Sequence, residues 1–442
     1  MSFNVCRLMS SSLVVTTVLA WTALSAPAFA QAPLPARVTL DEALGRAAAN
    51  SHRLGELRAR EGAAGAVVDQ RRAADRPILS AQLGYQRTNH VTPYGFVQNG
   101  RLQILYPDVP DNWRSRLDMQ WPIYTFGRSA ALERSAIAEQ QATGKDLEQA
   151  RADLRLETTR AFWALVTATE SVRVVSESVK RVEAQLADVR ARFDAGFLPP
   201  NDVLTVEANV SRQQTLLLEA KNQRDAARAE LARLMGVSVE ADFDVDASLD
   251  PPATAAAAVM PMPRADRFAL ALRADAAMAR IDAAKAEARP SLSLAGGFDV
   301  ARPNPRIFPR QDVWDDSWDI GVNFTWTLWN AGRTAASVAE ATHQRDAARE
   351  RLAELDTQIA LEVRHRRLDA ETARAQVTTA EAGLRSAAEA RRVVSERFAA
   401  GVATSTDLLD AQVDQLEAEL DRTRALANVK LADARLARAL GH

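Results

Sequence analysis

The chain repeats itself at a fixed distance. Trp121, Gly127, Phe193, Gly196, Asp202 and Gly236 recur 205 positions later as Trp326, Gly332, Phe398, Gly401, Asp407 and Gly441. The offset holds over 115 residues, from 121 to 236, which excludes insertions between a tryptophan-rich, strand-like segment and a distant glycine turn. Self-similarity of this kind marks copies of one structural unit. A rod of fixed length satisfies the constraint, so length along it is expected to be part of the function.

Upstream the offset becomes 213, where Arg76-Pro77-Ile78-Leu79-Ser80 aligns with Arg289-Pro290-Ser291-Leu292-Ser293. The difference of eight residues falls in Asn89 to Asn112 or its counterpart Ala301 to Asp315, both carrying the proline, glycine and asparagine of exposed loops. Each repeat therefore reads helix, strand, variable loop, strand, helix. The first spans 31–236, with strands about 78–88 and 113–125, a long helix 129–195 and a return helix 202–235. The second spans 264–442, with strands about 291–300 and 317–328, a long helix 334–400 and a return helix 407–440. An irregular belt, 237–263, rich in alanine, proline and acidic residues, joins them.

Residues 1–30 read as a signal peptide: Arg7, an apolar run from Leu13 to Leu24, and Ala28-Phe29-Ala30 before Gln31. Export is the expected fate. The single cysteine, Cys6, lies in that segment, so neither a disulfide framework nor a lipid-anchoring cysteine is expected in the mature chain. With 55 basic and 57 acidic residues, a net charge of −2, there is no basic face for nucleic acid.

The strands alternate. Odd positions from Trp113 read Trp113, Ser115, Leu117, Met119, Trp121, Ile123, and even ones Arg114, Arg116, Asp118, Gln120, Pro122, Tyr124. The copy sets Trp318, Ile320, Val322, Phe324, Trp326 and Leu328 against Asp319, Gly321, Asn323, Thr325 and Thr327. About ten residues per strand suits a transmembrane barrel strand. Six of the eight tryptophans lie in or beside these strands; Trp113, Trp121, Trp318, Trp326 and Trp329 are the expected interfacial girdle. A soluble sandwich with one wet face would alternate in the same way. In lipid, however, no sheet edge is tolerated, and four strands cannot close a barrel. Several chains must then share one; two would give about eight strands filled by side chains, three about twelve around an aqueous lumen. A homotrimer is expected.

Between Gly127 and Gly196 there is no proline, and 69 residues of helix span roughly 100 Å at about 1.5 Å per residue. Val172, Val175, Val179, Val182, Leu186, Val189 and Phe193 step by three and four, as do Val377, Ala380, Leu384, Ala387, Arg391, Val394 and Phe398 in the copy, a coiled-coil seam whose role is packing. The return helices are half as long. Asp41 to Ala74, opened by a Thr39–Glu42 capping box, and Arg264 to Ala288 are expected to cover the remainder.

Together these residues resemble the TolC-like outer-membrane export channels, the outer membrane efflux proteins. The resemblance spans essentially the whole mature chain: Val38-Thr39-Leu40-Asp41-Glu42-Ala43-Leu44, the strand exits Trp121 to Arg128 and Trp326 to Arg333, the Phe-x-x-Gly helix turns, and Asp407-Leu408-Leu409-Asp410-Ala411-Gln412. It implies a mixed, mainly α fold. Long antiparallel coiled-coil helices form an α-barrel, and four transmembrane strands per chain contribute to a shared 12-stranded trimeric β-barrel in outer-membrane lipid. It also implies a periplasmic gate at Asp407 and Asp410. Helix tips at Arg192, Phe193, Gly196 and Phe197, and at Arg397, Phe398, Gly401 and Val402, would meet a periplasmic adaptor (membrane fusion) protein. Family members lock the tip with a basic side chain two positions after the second glycine and an aromatic hydroxyl at the phenylalanine position. This chain has Ala403 and Phe398, which leaves coiled-coil packing to hold the gate.

From the residues alone, Asp407 and Asp410 share a helix face, and three-fold symmetry would gather six carboxylates into a cation-attracting ring. A first-turn acid that complements the helix dipole explains Asp407 equally. No phosphate loop or nucleophile elbow is present. His52, His90, His343, His365 and His442 are scattered, and Glu362 with His365 reads as a solvated pair rather than a metal site. Neither catalysis nor a cofactor is expected, so energy must come from an inner-membrane pump of RND, ABC or MFS type. The function implied is a passive exit duct for small molecules in a tripartite exporter. Alternatives are the duct of a type I protein secretion system and, from another class, a periplasmic coiled-coil adaptor or rod.

Overall fold

The computed structural model describes residues 36–249 and 261–442; the expected signal peptide and the middle of the linker lie outside them. The described chain opens with a short strand, β1 (Arg37–Val38), followed by α1 (Leu40–Asn50) and α2 (His52–Ala73). The capping box is present, Glu42 N donating to Thr39 Oγ1 at 3.3 Å and Thr39 N to Glu42 Oε2 at 2.9 Å. Where one helix was expected there are two. Ser51 leaves the helical region (ψ 115°) to cap α2 by accepting from Leu54 N, while Asn50 Nδ2 donates to the Met235 carbonyl at 2.8 Å. Both side chains compete with the helical ladder, which is why Asn-Ser breaks it.

Next come β2 (Ile78–Arg87), β3 (Tyr94–Gln98), β4 (Arg101–Tyr106) and β5 (Asp111–Tyr124). The expected loop 89–112 thus contains a hairpin, turned by Asn99 (φ 52°) and Gly100 (φ 75°), the left-handed pair a tight hairpin demands. The chain then enters α3 (Arg128–Asp194), α4 (Pro200–Met235), β6 (Asp244–Val245), α5 (Ala265–Ala286), β7 (Ser291–Arg302), β8 (Asp315–Thr325), α6 (Arg333–Ala399) and α7 (Ser405–Ala439). Within the belt, β6 pairs in parallel with β1, so part of that segment is ordered by the N-terminal strand.

Both long helices have 67 residues, about 100 Å at 1.5 Å per residue. Each starts after two left-handed residues, Phe126 (φ 51°) and Gly127 (φ 93°) in one repeat, Ala331 (φ 54°) and Gly332 (φ 82°) in the other. That reversal turns a strand directly into a helix. Helix α3 is the spine: α2, α4, α5 and α7 pack on it. Of the two segments expected to cover the remainder of the long helices, α2 lies against α3, and α5 against both α3 and α6. The main core lies near mid-length, where Phe162, Leu165, Leu231 and Met235 meet Val38 and Leu54. Each such side chain fully buried stabilises the fold by about 1.5–3 kcal/mol. By contrast α6 leaves Leu361 (59% exposed) and Leu368 (46%) uncovered, the appearance of a surface awaiting another chain.

The larger sheet has the order β2-β5-β7-β8, antiparallel throughout. Its register is the same in both repeats: Leu79 faces Met119, and their copies Leu292 and Phe324 face each other. Between repeats Leu117 faces Phe298 and Trp121 faces Leu294.

Candidate functional site

Residues opposite one another in an antiparallel pair point to one face, so the register sorts the sheet. Leu79, Leu83, Tyr85, Trp113, Leu117, Phe298, Trp318, Ile320, Val322 and Phe324 share one face. Arg114, Arg116, Asp118, Asp299 and Asp319 share the other. The apolar face is bare: Leu83 is 85% exposed, Trp318 71% and Ile320 63%. An apolar face bared across all four strands marks a surface that meets lipid or another chain rather than water. The polar face is cross-linked instead, Arg116 reaching Asp118 (2.6 Å), Asp319 (3.4 Å) and Asp299, and Arg114 reaching Asp299 (2.8 Å). One side chain thereby spans β5, β7 and β8.

The alternation slips once. The register shifts between Pro122 and Tyr124, so that Tyr124, not Ile123, faces Leu292. Trp326 and Trp329 lie past the end of β8, which stops at Thr325. Two of the expected girdle tryptophans make hydrogen bonds to backbone carbonyls. Trp121 Nε1 donates to the Asp75 carbonyl at 3.0 Å, and Trp326 Nε1 to the Ala288 carbonyl at 3.1 Å, the same bond in each repeat. Each indole ties a strand exit to the end of the helix that precedes the sheet, a role the sequence repeat contained but tryptophan count alone did not disclose.

At the other end, Gly196 (φ 81°) and Gly401 (φ 76°) turn the two hairpins. Phe197 (80% exposed) and Val402 (67%) project from the turns, and Phe193 is half-buried to exposed. Phe398 turns inward and is buried with Val182, Val189, Val206, Leu408 and Leu409, with Ala403 packed against them. Packing is not the sole tie between the hairpins: the Arg192 guanidinium stacks over the Phe398 ring at 4.9 Å and donates to the Phe398 carbonyl at 3.4 Å.

Asp407 and Asp410 are exposed in the first turns of α7. Asp407 accepts from Thr404 N and Thr404 Oγ1, both at 2.8 Å, closing a capping box. Those two hydrogen bonds, backbone first, hold its carboxyl below the usual carboxylate range. Asp410 lines a groove between α4 and α7 with Asn209, Arg212, Thr406 and Leu409. Glu362, considered with His365, is taken instead by Arg264 at 2.6 Å.

A bare apolar belt backed by a polar face, set on a rod of paired helices, defines an outer-membrane channel with a long helical extension. The chain belongs to the outer membrane efflux protein family, whose sequence signature matches residues 43–237 and 266–442. It is similar to the alkaline protease secretion protein AprF of Pseudomonas aeruginosa, 22% identical over 334 residues, covering 74% of this chain and 69% of AprF. It is also similar to the fusaric acid resistance protein FusA of Burkholderia cepacia, 25% identical over 269 residues, 55% of this chain and half of FusA. In structure it superposes on the outer-membrane channel OprN with a TM-score of 0.76 at 21% identity, covering 91% of this chain and 89% of that one.

Proposed function

We propose that three copies assemble around one axis as the passive exit duct of a tripartite exporter, driven by an inner-membrane pump and met at the helix tips by a periplasmic adaptor. The single observation that carries this is the sheet: an exposed apolar face on four strands with two free edges, which lipid accepts only in a closed ring of several chains. The adaptor contact falls on the exposed Phe193, Phe197 and Val402. The Asp410 carboxylates, with Asp407 beside them, form the cation-attracting constriction. Efflux of small molecules is the main reading, supported by the resemblance to a fusaric acid resistance protein. The resemblance to a protease secretion protein supports the second reading, a duct for polypeptides.

The test is planar-bilayer recording of the purified protein with its mass in detergent. A trimer with small, cation-preferring openings blocked by multivalent cations is expected, and the Asp407→Ala, Asp410→Ala double variant should insert normally but lose that block. Unchanged block removes the constriction assignment; a species that never inserts removes the duct.

A further inference from the structure

The polar face of the sheet is covered at one end. Asp299 is 2% exposed and Ala301 1%, although both belong to the face that lines the barrel, while Phe298 on the opposite face is 45% exposed. The Arg114 and Arg116 guanidiniums cover Asp299, and the loop from β7 to β8 adds a second layer over the inner side of β8. Asn304, itself 2% exposed, donates through Nδ2 to Ser317 Oγ and to the Asp315 carbonyl, both at 3.1 Å. Arg306 lies across β8, donating to the Trp318 carbonyl at 3.0 Å and to Asp319 Oδ1 at 2.6 Å. Ser317 and Asp319 face inward, and Asp319 is also held by Arg116, so the loop is pinned to the inner charge network rather than standing above the sheet.

The same loop holds the hairpin β3–β4 of the other repeat. Arg310 N donates to the Leu105 carbonyl at 3.3 Å, its guanidinium donates to Tyr106 Oη at 2.6 Å and lies over the Tyr106 ring at 5.0 Å. The hairpin in turn carries Tyr94 (70% exposed) and Leu102 (64%), and the loop exposes Phe308 (70%).

We propose that residues 303–310 form an outer constriction: the loop folds into the barrel at the end farthest from the helices and holds the hairpin at the mouth. Exported molecules then pass two narrow places, the periplasmic tips and this size-selecting ring. The inference rests on the barrel reading, and its test separates the two. Ser293→Cys places a thiol on the polar face near the helix end of β7, opposite Asn323 and Pro122. Thiol reagents of graded size are added outside intact cells. A small charged maleimide should react and a polymer-linked one should not. Replacing 303–310 with a short glycine-serine link, or Arg306→Ala where that variant fails to assemble, should speed the bulky reaction at least about tenfold, as widening a pore constriction does. Equal rates with and without the loop overturn the constriction. Reaction of Ser293→Cys with a lipid-soluble maleimide alone puts the polar face in lipid and overturns the barrel itself.

Discussion

Arg192 is the side chain whose removal should be most informative at the tips. It lies on α3, its side chain 31% exposed, stacked on the buried Phe398 of α6. A partly desolvated cation–π contact contributes about 0.5–2 kcal/mol. Its hydrogen bond to the Phe398 carbonyl is long at 3.4 Å and is taken at the lower end, about 1 kcal/mol. The ion pair with Asp188, four residues earlier on the same helix, does not change when hairpins separate and drops out. If separation of the tips breaks the clasp, Arg192→Ala should favour the separated state by about 1.5–3 kcal/mol, raising the ratio of open to closed about 10- to 150-fold. The assay is the open fraction in single-channel recordings of the purified protein. Arg192→Lys should fall between the two, keeping charge but losing the planar fork. An open fraction within twofold of the parent, or strictly additive effects of Arg192→Ala and Phe398→Ala in a double-mutant cycle, would refute the clasp.

Ile320→Arg, on the bare apolar face, should cost about 2–4 kcal/mol if that face meets the middle of the hydrocarbon layer, seen as lost trimer assembly in membrane fractions; Gly321→Ser, one residue away on the polar face, should be tolerated. Because the Asp407 pKa is lowered in the folded chain, its cap stabilises α7 at pH above the ordinary carboxylate value, near ~3.9, and that contribution disappears as pH falls through the depressed value. Corrected for its intrinsic pH dependence, hydrogen exchange of the tip peptide should therefore stay slow down to about pH 4 and quicken below it. Thr404→Val should quicken it already at neutral pH, and equal exchange in the two proteins would show that the cap does not hold the turn.

The long-range plan of this chain was legible because it is written twice. The constant spacing of Trp121, Gly127 and Gly196 against Trp326, Gly332 and Gly401 placed both 67-residue helices to within a residue at each end. Alternation sorted the faces of β5 and β8 as far as Trp121, then failed at Ile123, because a register shift has no signature in a two-residue period. The hairpin around Asn99-Gly100 was missed despite its turn dipeptide, since the loop composition outweighed a short pattern. The Arg192–Phe398 contact and the infolded Arg306 could not have been read off, as each joins residues brought together only by packing of one repeat on another or a loop on its own sheet.

The identical register of the two repeats carries a consequence for how many kinds of joint the ring contains. Leu117 faces Phe298 where the first repeat meets the second inside one chain. Moving each residue to its counterpart in the other repeat, the same joint between neighbouring chains of the proposed trimer would set Val322 of one opposite Tyr85 of the next, both on the apolar face. A cysteine pair at those positions should link chains into covalent multimers, and a pair offset by one residue should not. In the proposed trimer the wall would be a six-membered ring of half-chains, alike in their barrel strands and long helices. At the mouth, what would lower six-fold to three-fold is the difference between two loops: Asn89 to Asn112 carries a hairpin, Ala301 to Asp315 dips inward, and the two would alternate. Fusing the halves in pairs lets neighbouring units differ, so that one can be the rope and the other the anchor.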